Sequence, residues 1–361
     1  MLKRLLSFHW AIELALASTL ALWGQTPTPI ALVIEQEFGE AKAVALPVER
    51  LAKEALTGAG LKVVPAGSAS ETLVIRLHGT PHKGYDAQNI AHYFGATIDG
   101  EILAQGRGAG AKAAFHGEHR PPSAFVTPTM LTRPEDAPFA STFADSTFVT
   151  ALGRLITTAW EGKLASVFLE VMKDPEELYQ RAAIRALRDL KDPATVPPLL
   201  EKLKRSDRYK PGLQLDLVEA LGAIGDPGSV DALITVVADT SLWDKTREAS
   251  ARALGKLGDR RGALPLAKAL NRNLGWNFQQ EIFKALEAFG DKRAIGPLAT
   301  QLAERNKRLP AFDPTLEYVE KAYDEDLVKT LRKLSGQDFG PDGARWVAWW
   351  KQNERTLSQG P

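Results

Sequence analysis

One short pattern recurs four times in the second half of the chain and constrains its fold more than any other feature. Each copy contains an Ala-Leu helix end, then a turn with an aspartate, then a leucine seven residues beyond it. The aspartates are Asp192, Asp226, Asp259 and Asp291, which lie 34, 33 and 32 residues apart. So regular a period indicates a helical solenoid, in which each helix pair buries its apolar stripe only against its neighbours. The sequence therefore predicts a long surface of the kind that holds another macromolecule.

The residues of the turn explain how each copy folds. A glycine precedes the aspartate in three copies, where a left-handed backbone ends the first helix, and Lys191 takes this place in the first copy. The aspartate can accept hydrogen bonds from free N–H groups at the start of the second helix. Prolines follow six residues later at Pro198, Pro265 and Pro297, and proline is tolerated only near a helix start. We expect the second helices to end near Leu203, Val237, Leu270 and Leu302.

Composition excludes several classes of protein. The 361 residues can form two domains, and 44% apolar with 25% charged residues is ordinary globular usage. The 45 basic and 44 acidic residues give a net charge of +1, so no overall field attracts nucleic acid. Cysteine is absent, which excludes disulfides, thiolate nucleophiles and Cys-ligated zinc.

Residues 1–25 have the pattern of an export signal. Lys3 and Arg4 precede an apolar stretch from Leu5 to Trp23. We expect cleavage and a periplasmic or cell-envelope location. An uncleaved segment approaches the ~20 residues that span a bilayer and would be a membrane tether, although Glu13 opposes insertion. A buried N-terminal helix in a cytoplasmic protein is the third interpretation.

The sequence pattern of residues 26–160 is typical of a small α/β domain. Five strands are predicted, with a helix from Ala41 to Thr57 that Gly58 and Gly60 stop. The strands cover Ile30–Ile34, Leu61–Val64, Thr72–Gly79, Tyr93–Ile102 and Ala113–Gly117. This order resembles the small α/β domains of bacterial envelope proteins, such as the N-terminal domain of the Tol-Pal translocation β-propeller protein. A proline-rich connector from Arg120 to Ser146 and a helix from Phe148 to Trp160 lead to the solenoid, residues 161–361.

Two groups of residues in this domain are weak candidates for a site. His78 with His82, and His116 with His119, could bind zinc if their strands were neighbours, but the spacing matches no diagnostic metal motif. We therefore expect surface histidines, no metal and no cofactor. The glycine-rich Gly106–Gly110 allows a phosphate loop or a hairpin turn. More strand sequence follows it, so a hairpin is favoured.

No catalytic motif is present in the sequence. It lacks Gly-x-Ser-x-Gly, His-Glu-x-x-His and the phosphate-binding Gly-x-x-x-x-Gly-Lys-Ser/Thr pattern. The acidic runs Glu176–Glu177 and Asp324–Asp326 are expected at solvated helix starts, where the helix dipole favours negative charge. The prediction is a protein that is not an enzyme.

The pattern Ala-Leu-Gly-x-Leu-Gly-Asp at Ala253–Asp259, followed by Ala263–Leu266, resembles the HEAT repeats of the phycobilisome-lyase type. The resemblance covers about residues 178–303. It implies a HEAT-like α-solenoid that serves as a protein interaction scaffold. Some members of the family attach bilin chromophores, so a ligand- or chromophore-handling accessory enzyme is the alternative.

Two sets of aromatic residues are candidates for recognition. Three aromatic residues lie just before successive first helices: Tyr209, Trp243 and Trp276. They would form a row that either binds a protein partner or packs between repeats. Trp346, Trp349 and Trp350 share one helix face, either as a binding patch or, preferably, as a cap over the last repeat.

Overall fold

The chain forms two compact units, which meet in sequence between Val171 and Met172. The computed structural model describes residues 27–38, 46–85, 91–106, 109–119, 142–143, 145–160, 162–207, 209–271, 273–306 and 314–358. The proposed export signal at residues 1–25 and most of the proline-rich connector lie outside these ranges. The helix Leu164–Val171 follows the division predicted at residue 160 and packs on the helices Val48–Gly58 and Phe148–Trp160.

The first unit is a mixed five-stranded sheet with helices against one face. Its elements are β1 (Pro29–Glu37), α1 (Val48–Gly58), β2 (Lys62–Val64), β3 (Glu71–Tyr85), β4 (Ala91–Gln105), β5 (Lys112–His119), α2 (Phe148–Trp160) and α3 (Leu164–Val171). The strand order is β2-β1-β3-β4-β5. β1 pairs in parallel with β2 and β3, and the β3-β4 and β4-β5 pairs are antiparallel. The predicted α/β domain and its five strands are confirmed.

Alternation along β3 shows why the sheet has one covered face. Leu73, Ile75 and Leu77 are buried, while the intervening Arg76 and His78 are exposed. Successive side chains of a strand point to opposite faces, so the apolar set packs under the helices and the charged set lies on the other face.

The first helix starts later than predicted. It begins at Val48, immediately after Pro47, instead of at Ala41. Proline disfavours helical backbone in the residue before it, so a helix is not expected to run through this point. The helix ends at Gly58, close to the predicted Thr57, and Gly60 beyond it has a φ of +78°, which allows Leu61 N–H to donate to Leu56 O at 2.9 Å. Gly58 has a different reason, because a β-carbon there would lie 2.6 Å from Ser166 O of α3.

The second unit is a stack of helix pairs. Its first helices are α4 (Glu177–Leu190), α6 (Pro211–Ile224), α8 (Asp244–Leu257), α10 (Trp276–Phe289) and α12 (Pro314–Ser335). Its second helices are α5 (Val196–Arg205), α7 (Val230–Ala238), α9 (Ala263–Ala269), α11 (Ile295–Asn306) and α13 (Gly343–Ser358). Each first helix packs on the next first helix, and the second helices from α7 to α13 do the same. The predicted solenoid is confirmed, with a fifth pair that lacks the sequence motif.

The turns inside the repeats follow the predicted chemistry with one difference. Lys191, Gly225, Gly258 and Gly290 all adopt the left-handed conformation at the end of a first helix. Each following aspartate accepts a backbone N–H two residues later, as Asp226 does from Gly228 at 2.7 Å. That N–H belongs to a three-residue 3-10 turn, which separates the aspartate from the second helix. Pro198, Pro265 and Pro297 each stand third in their helix, as expected.

The last helix packs against the solenoid through its tryptophans. Trp346 is fully buried and donates from Nε1 to Gly340 O at 2.9 Å. Trp349 and Trp350 are half-buried against the same core. A β-carbon at Gly296 of α11 would lie 2.5 Å from Trp350 Nε1, so glycine permits this close contact. These side chains therefore take part in packing and leave no exposed aromatic patch on α13.

Candidate protein-binding edge of the solenoid

In the described part of the chain, the large exposed apolar side chains all lie at the same kind of position in the repeats. There are four of them, Leu178, Tyr209, Trp243 and Trp276, with 39%, 78%, 50% and 50% of their surface exposed. Each belongs to a different repeat, and each lies at the N-terminal end of a first helix. We call this set the edge row.

The edge row is positioned by the stacking of the first helices. Leu178 is the second residue of α4, Tyr209 lies two residues before α6, Trp243 immediately precedes α8, and Trp276 starts α10. These four helices pack on one another in order. Packed helices lie about 8–10 Å apart, so the row has roughly that spacing. The sequence identified three members, and Leu178 was missed because a leucine is not conspicuous in a helix.

A buried polar residue in each repeat anchors the loop that carries the edge row. Gln180, Gln214, Arg247 and Gln279 all stand six residues before the Ala-Leu pair, and all are buried. Arg247 Nε donates to Val237 O at 3.1 Å, and Gln279 Nε2 donates to Leu274 O at 2.8 Å. Gln180 Nε2 donates to Asp174 O at 2.5 Å. Buried amides need such partners, so these bonds hold the loop against its helix.

These four buried polar residues were not predicted from the sequence. Aligning the four copies on Ala-Leu would have shown a long polar side chain at the same place each time. The recurrence of a polar side chain at the repeat period, and not the identity of any one residue, would have indicated this position.

Ion pairs connect successive first helices. Arg181 of α4 contacts Asp216 of α6 at 2.6 Å, and Lys333 of α12 contacts Glu287 of α10 at 2.8 Å. The Lys333 side chain is exposed, and ion pairs of that kind contribute about 0–1 kcal/mol. Asp216 is buried, so its charge depends on Arg181 as a partner.

A second set of ion pairs lies at the turns. Arg261 contacts Asp259 at 2.9 Å and also Asp231 of the preceding repeat at 2.9 Å. Hydrogen bonds from the Arg261 side chain, and then from its backbone, lower the pKa of Asp259. Burial acts to raise the pKa of Asp291, but hydrogen bonds from the side chain and backbone of Arg293 outweigh it and lower that pKa. Both carboxylates are therefore structural caps.

Three of the four candidate zinc histidines, His78, His82 and His116, have described side chains. His78 on β3 and His116 on β5 flank the intervening strand β4, where Asp99 lies between them in register. His116 Nδ1 is 2.7 Å from Asp99 Oδ1, and His82 Nε2 is 2.8 Å from Thr97 Oγ1. The side chain of His119 lies outside the described part. Among the described residues, no three metal-ligating side chains form a group that could hold a metal ion.

The structure also shows where the glycine-rich segment and the two acidic runs lie. Gly106–Gly110 lies between the paired strands β4 and β5, so it is a hairpin turn and not a phosphate loop. Glu176 and Glu177 stand at the start of α4, as predicted. The prediction for Asp324–Asp326 is wrong, because these residues lie in the middle of α12, where Arg305 bonds Asp324 and Gln280 bonds Asp326. These partners on neighbouring helices stabilise the carboxylates without a helix start.

Among the helices in the described part of the chain, none combines the length and apolar character that crossing a bilayer requires.

Comparison with known families agrees with the geometry of the stack. A model of HEAT repeats matches residues 165–245, and a model of the PBS lyase HEAT-like repeat matches residues 246–272. A search of the curated proteins finds no match to the chain. HEAT repeats generally mediate binding between proteins, and this chain presents them as a helical solenoid. Residues 165–272 thus consist of HEAT and PBS lyase HEAT-like repeats, preceded by a domain built on a mixed β-sheet.

Proposed function

We propose that this protein is a non-catalytic scaffold of the cell envelope whose solenoid binds a protein partner through the edge row. The observation that carries the proposal is the placement of Leu178, Tyr209, Trp243 and Trp276. Every large exposed apolar side chain of the described residues lies on one edge, one in each of four consecutive repeats. Aromatic residues on a rigid support are typical hot spots of protein interfaces.

The support for a rigid edge comes from the anchors beneath it. Gln279 bonds Leu274 O in the loop that precedes α10, and Arg247 bonds Val237 O at the end of α7, ahead of the loop that leads to Trp243. Side chains held in this way lose little further freedom on binding, which favours affinity. The charged surface around the row would form the polar rim of such an interface.

The experiment replaces Tyr209, Trp243 and Trp276 with alanine together. The tagged protein is crosslinked and purified from its native cells, and its partners are identified by mass spectrometry. We expect a stoichiometric protein partner that the triple variant loses while its melting temperature stays close to that of the wild type. The matched control replaces Thr235, Lys268 and Thr300, which are exposed on the second helices of the same repeats.

Three outcomes would contradict the proposal. Retention of the partner by the triple variant would remove the edge row from the interface. A large loss of thermal stability in the triple variant would show that the aromatics serve packing instead. Colour after incubation with a bilin would contradict the non-catalytic part.

The envelope location is tested separately. The proposal draws on Lys3, Arg4 and the apolar stretch from Leu5 to Trp23. Fractionation of cells followed by N-terminal sequencing should place the protein in the periplasm, with a new N-terminus near residue 25. A cytosolic protein with its initial methionine region intact would refute this part and leave the scaffold proposal standing.

A further inference from the structure

One edge of the sheet in the first unit is open. β2 pairs with β1 only from Pro29 to Ala31, although β1 continues to Glu37. From Leu32 to Glu37, β1 pairs with β3 on one side, and no described strand pairs with it on the other. Six residues of edge backbone therefore present hydrogen-bonding groups to an added strand.

A groove follows this edge on the helix-covered side. Its lining includes the apolar Leu32, Ile34, Val63 and Pro65 and, from α1, Glu49, Lys53 and Thr57. Its volume is about 840 Å³. An extended peptide places every second side chain on the same face, so alternate residues of an added strand would enter this groove. The apolar part of the lining favours apolar residues at those positions.

The opposite face of the same edge is acidic. Glu35 and Glu37 lie there with side-chain exposures of 55% and 82%. Glu35 contacts Arg76 at 2.7 Å on the β3 side, and Glu37 is 3.9 Å from His78 Nδ1. Residues directly opposite on adjacent strands interact, and unlike charges there are favourable. An added strand would therefore carry basic residues on this face.

The same charges oppose pairing with a second copy of the chain. Antiparallel pairing of two β1 edges around Glu35 would place Glu35 opposite Glu35. If the register shifts by two residues in one direction, Glu35 of each copy lies opposite Glu37 of the other copy, which makes two pairs of like charge. Like charges directly opposite are destabilising, so the occupant is a different molecule.

We propose that the β1 edge, Leu32–Glu37, binds an extended segment of a partner protein that alternates apolar and basic residues and adds to the sheet as a sixth strand. Its apolar side chains occupy the groove beside Leu32 and Ile34, and its basic side chains face Glu35 and Glu37. This site lies in the first unit and does not depend on the function proposed for the solenoid.

The test uses the full-length protein and fluorescein-labelled peptides. The matching peptide is Lys-Val-Lys-Ile-Lys-Val. One control has the same composition without alternation, Lys-Lys-Val-Val-Lys-Ile, and a second has glutamate in place of each lysine. Fluorescence anisotropy measures affinity, and hydrogen exchange with mass spectrometry locates the bound strand. We expect the matching peptide to bind at least about tenfold more tightly than either control and to protect amides of residues 32–37.

A charge exchange gives a second, independent measurement. Glu37→Lys should weaken binding of the lysine peptide about three- to tenfold and strengthen binding of the glutamate peptide by a similar factor. Glu37 is highly exposed, so this change should not disturb folding. Glu354→Lys, an exposed glutamate on α13, is the matched control and should leave both affinities unchanged.

Four results would overturn the proposal. Equal affinity for the alternating and non-alternating peptides would mean that charge alone attracts them. Protection outside β1 would place the peptide elsewhere, and insensitivity to Glu37→Lys would exclude the acidic face. Absence of binding at millimolar peptide would refute the site altogether.

Discussion

Lys191 is the only non-glycine residue with positive φ among the described residues, at +55°. It ends α4 at the place where the next three repeats use glycine. A side chain in the left-handed region is strained by contact between its β-carbon and the backbone. The first repeat therefore carries a local cost that the others avoid.

Replacing Lys191 with glycine should relieve this strain. We expect Lys191→Gly to raise the free energy of unfolding by about 0.5–1 kcal/mol, since glycine adopts this conformation freely but loses more entropy on folding. Urea unfolding followed by tryptophan fluorescence measures the change. Lys292→Gly, in a 3-10 turn without positive φ, is the control and should give no gain.

The cap at Asp291 predicts a pH dependence. Its pKa in the folded protein is below the usual value, so its ionised form stabilises the fold above about pH 4, and this contribution disappears as the pH falls through the folded pKa. Asp291→Asn should therefore reduce stability at pH 7, and the difference from wild type should shrink below pH 4. Chemical unfolding at several pH values tests this, with Glu325→Gln on the exposed surface of α12 as control. A difference independent of pH would show that the charge has no role.

The repeated buried polar residue acts on the scale of the helix and its loop. Gln279 bonds the carbonyl of Leu274 from inside the core, and Arg247 bonds that of Val237. A carbonyl left without a donor in a buried place costs about 1–3 kcal/mol. These residues thus determine where the loops and the edge row stand.

Gln279→Leu should destabilise the protein by about 1–3 kcal/mol, because leucine fills the space and leaves the Leu274 carbonyl without its side-chain donor. Thermal unfolding gives the loss, and the neighbouring exposed Asn277→Ala should change little. A neutral Gln279→Leu would mean that the bond contributes nothing to the loop.

The packing of α13 likewise depends on the contacts of a single helix. Trp346 is fully buried with Phe339 against it at 4.9 Å between ring centroids. Trp346→Ala should cost about 3–5 kcal/mol through the cavity that it leaves. Trp349→Ala should cost less, since Trp349 is only half-buried. Urea unfolding of the two variants compares them, and equal small losses would contradict a packing role.

The whole molecule has little net charge. With 45 basic and 44 acidic residues, and with ion pairs spread along the solenoid, it lacks a basic field. We expect no measurable binding of duplex DNA at 150 mM salt in a filter assay, because nonspecific binding depends on neutralising many phosphates. Tight binding that weakens steeply with added salt would contradict this expectation.

The sequence alone determined the solenoid, its turns and the five strands, because these depend on local rules. A glycine before the aspartate ends the first helix in three of the four repeats, and a period near 33 residues predicts stacked helix pairs. It also placed Tyr209, Trp243 and Trp276 at equivalent positions, but it could not distinguish exposed aromatics from packed ones. That difference depends on which neighbours cover each side chain.

Tertiary structure decided the features that join distant residues. The fifth helix pair lacks the motif and is recognised only because α12 packs on α10 and α13 on α11. Asp324 and Asp326 are stabilised within a helix by Arg305 and Gln280 of other helices. The open edge of β1 exists because β2 stops after three residues, and no local pattern in Leu32–Glu37 shows which strands will lie beside it. Pairing across a sheet is set by long-range contacts, so the side of β1 that no described strand pairs is visible only in the folded chain.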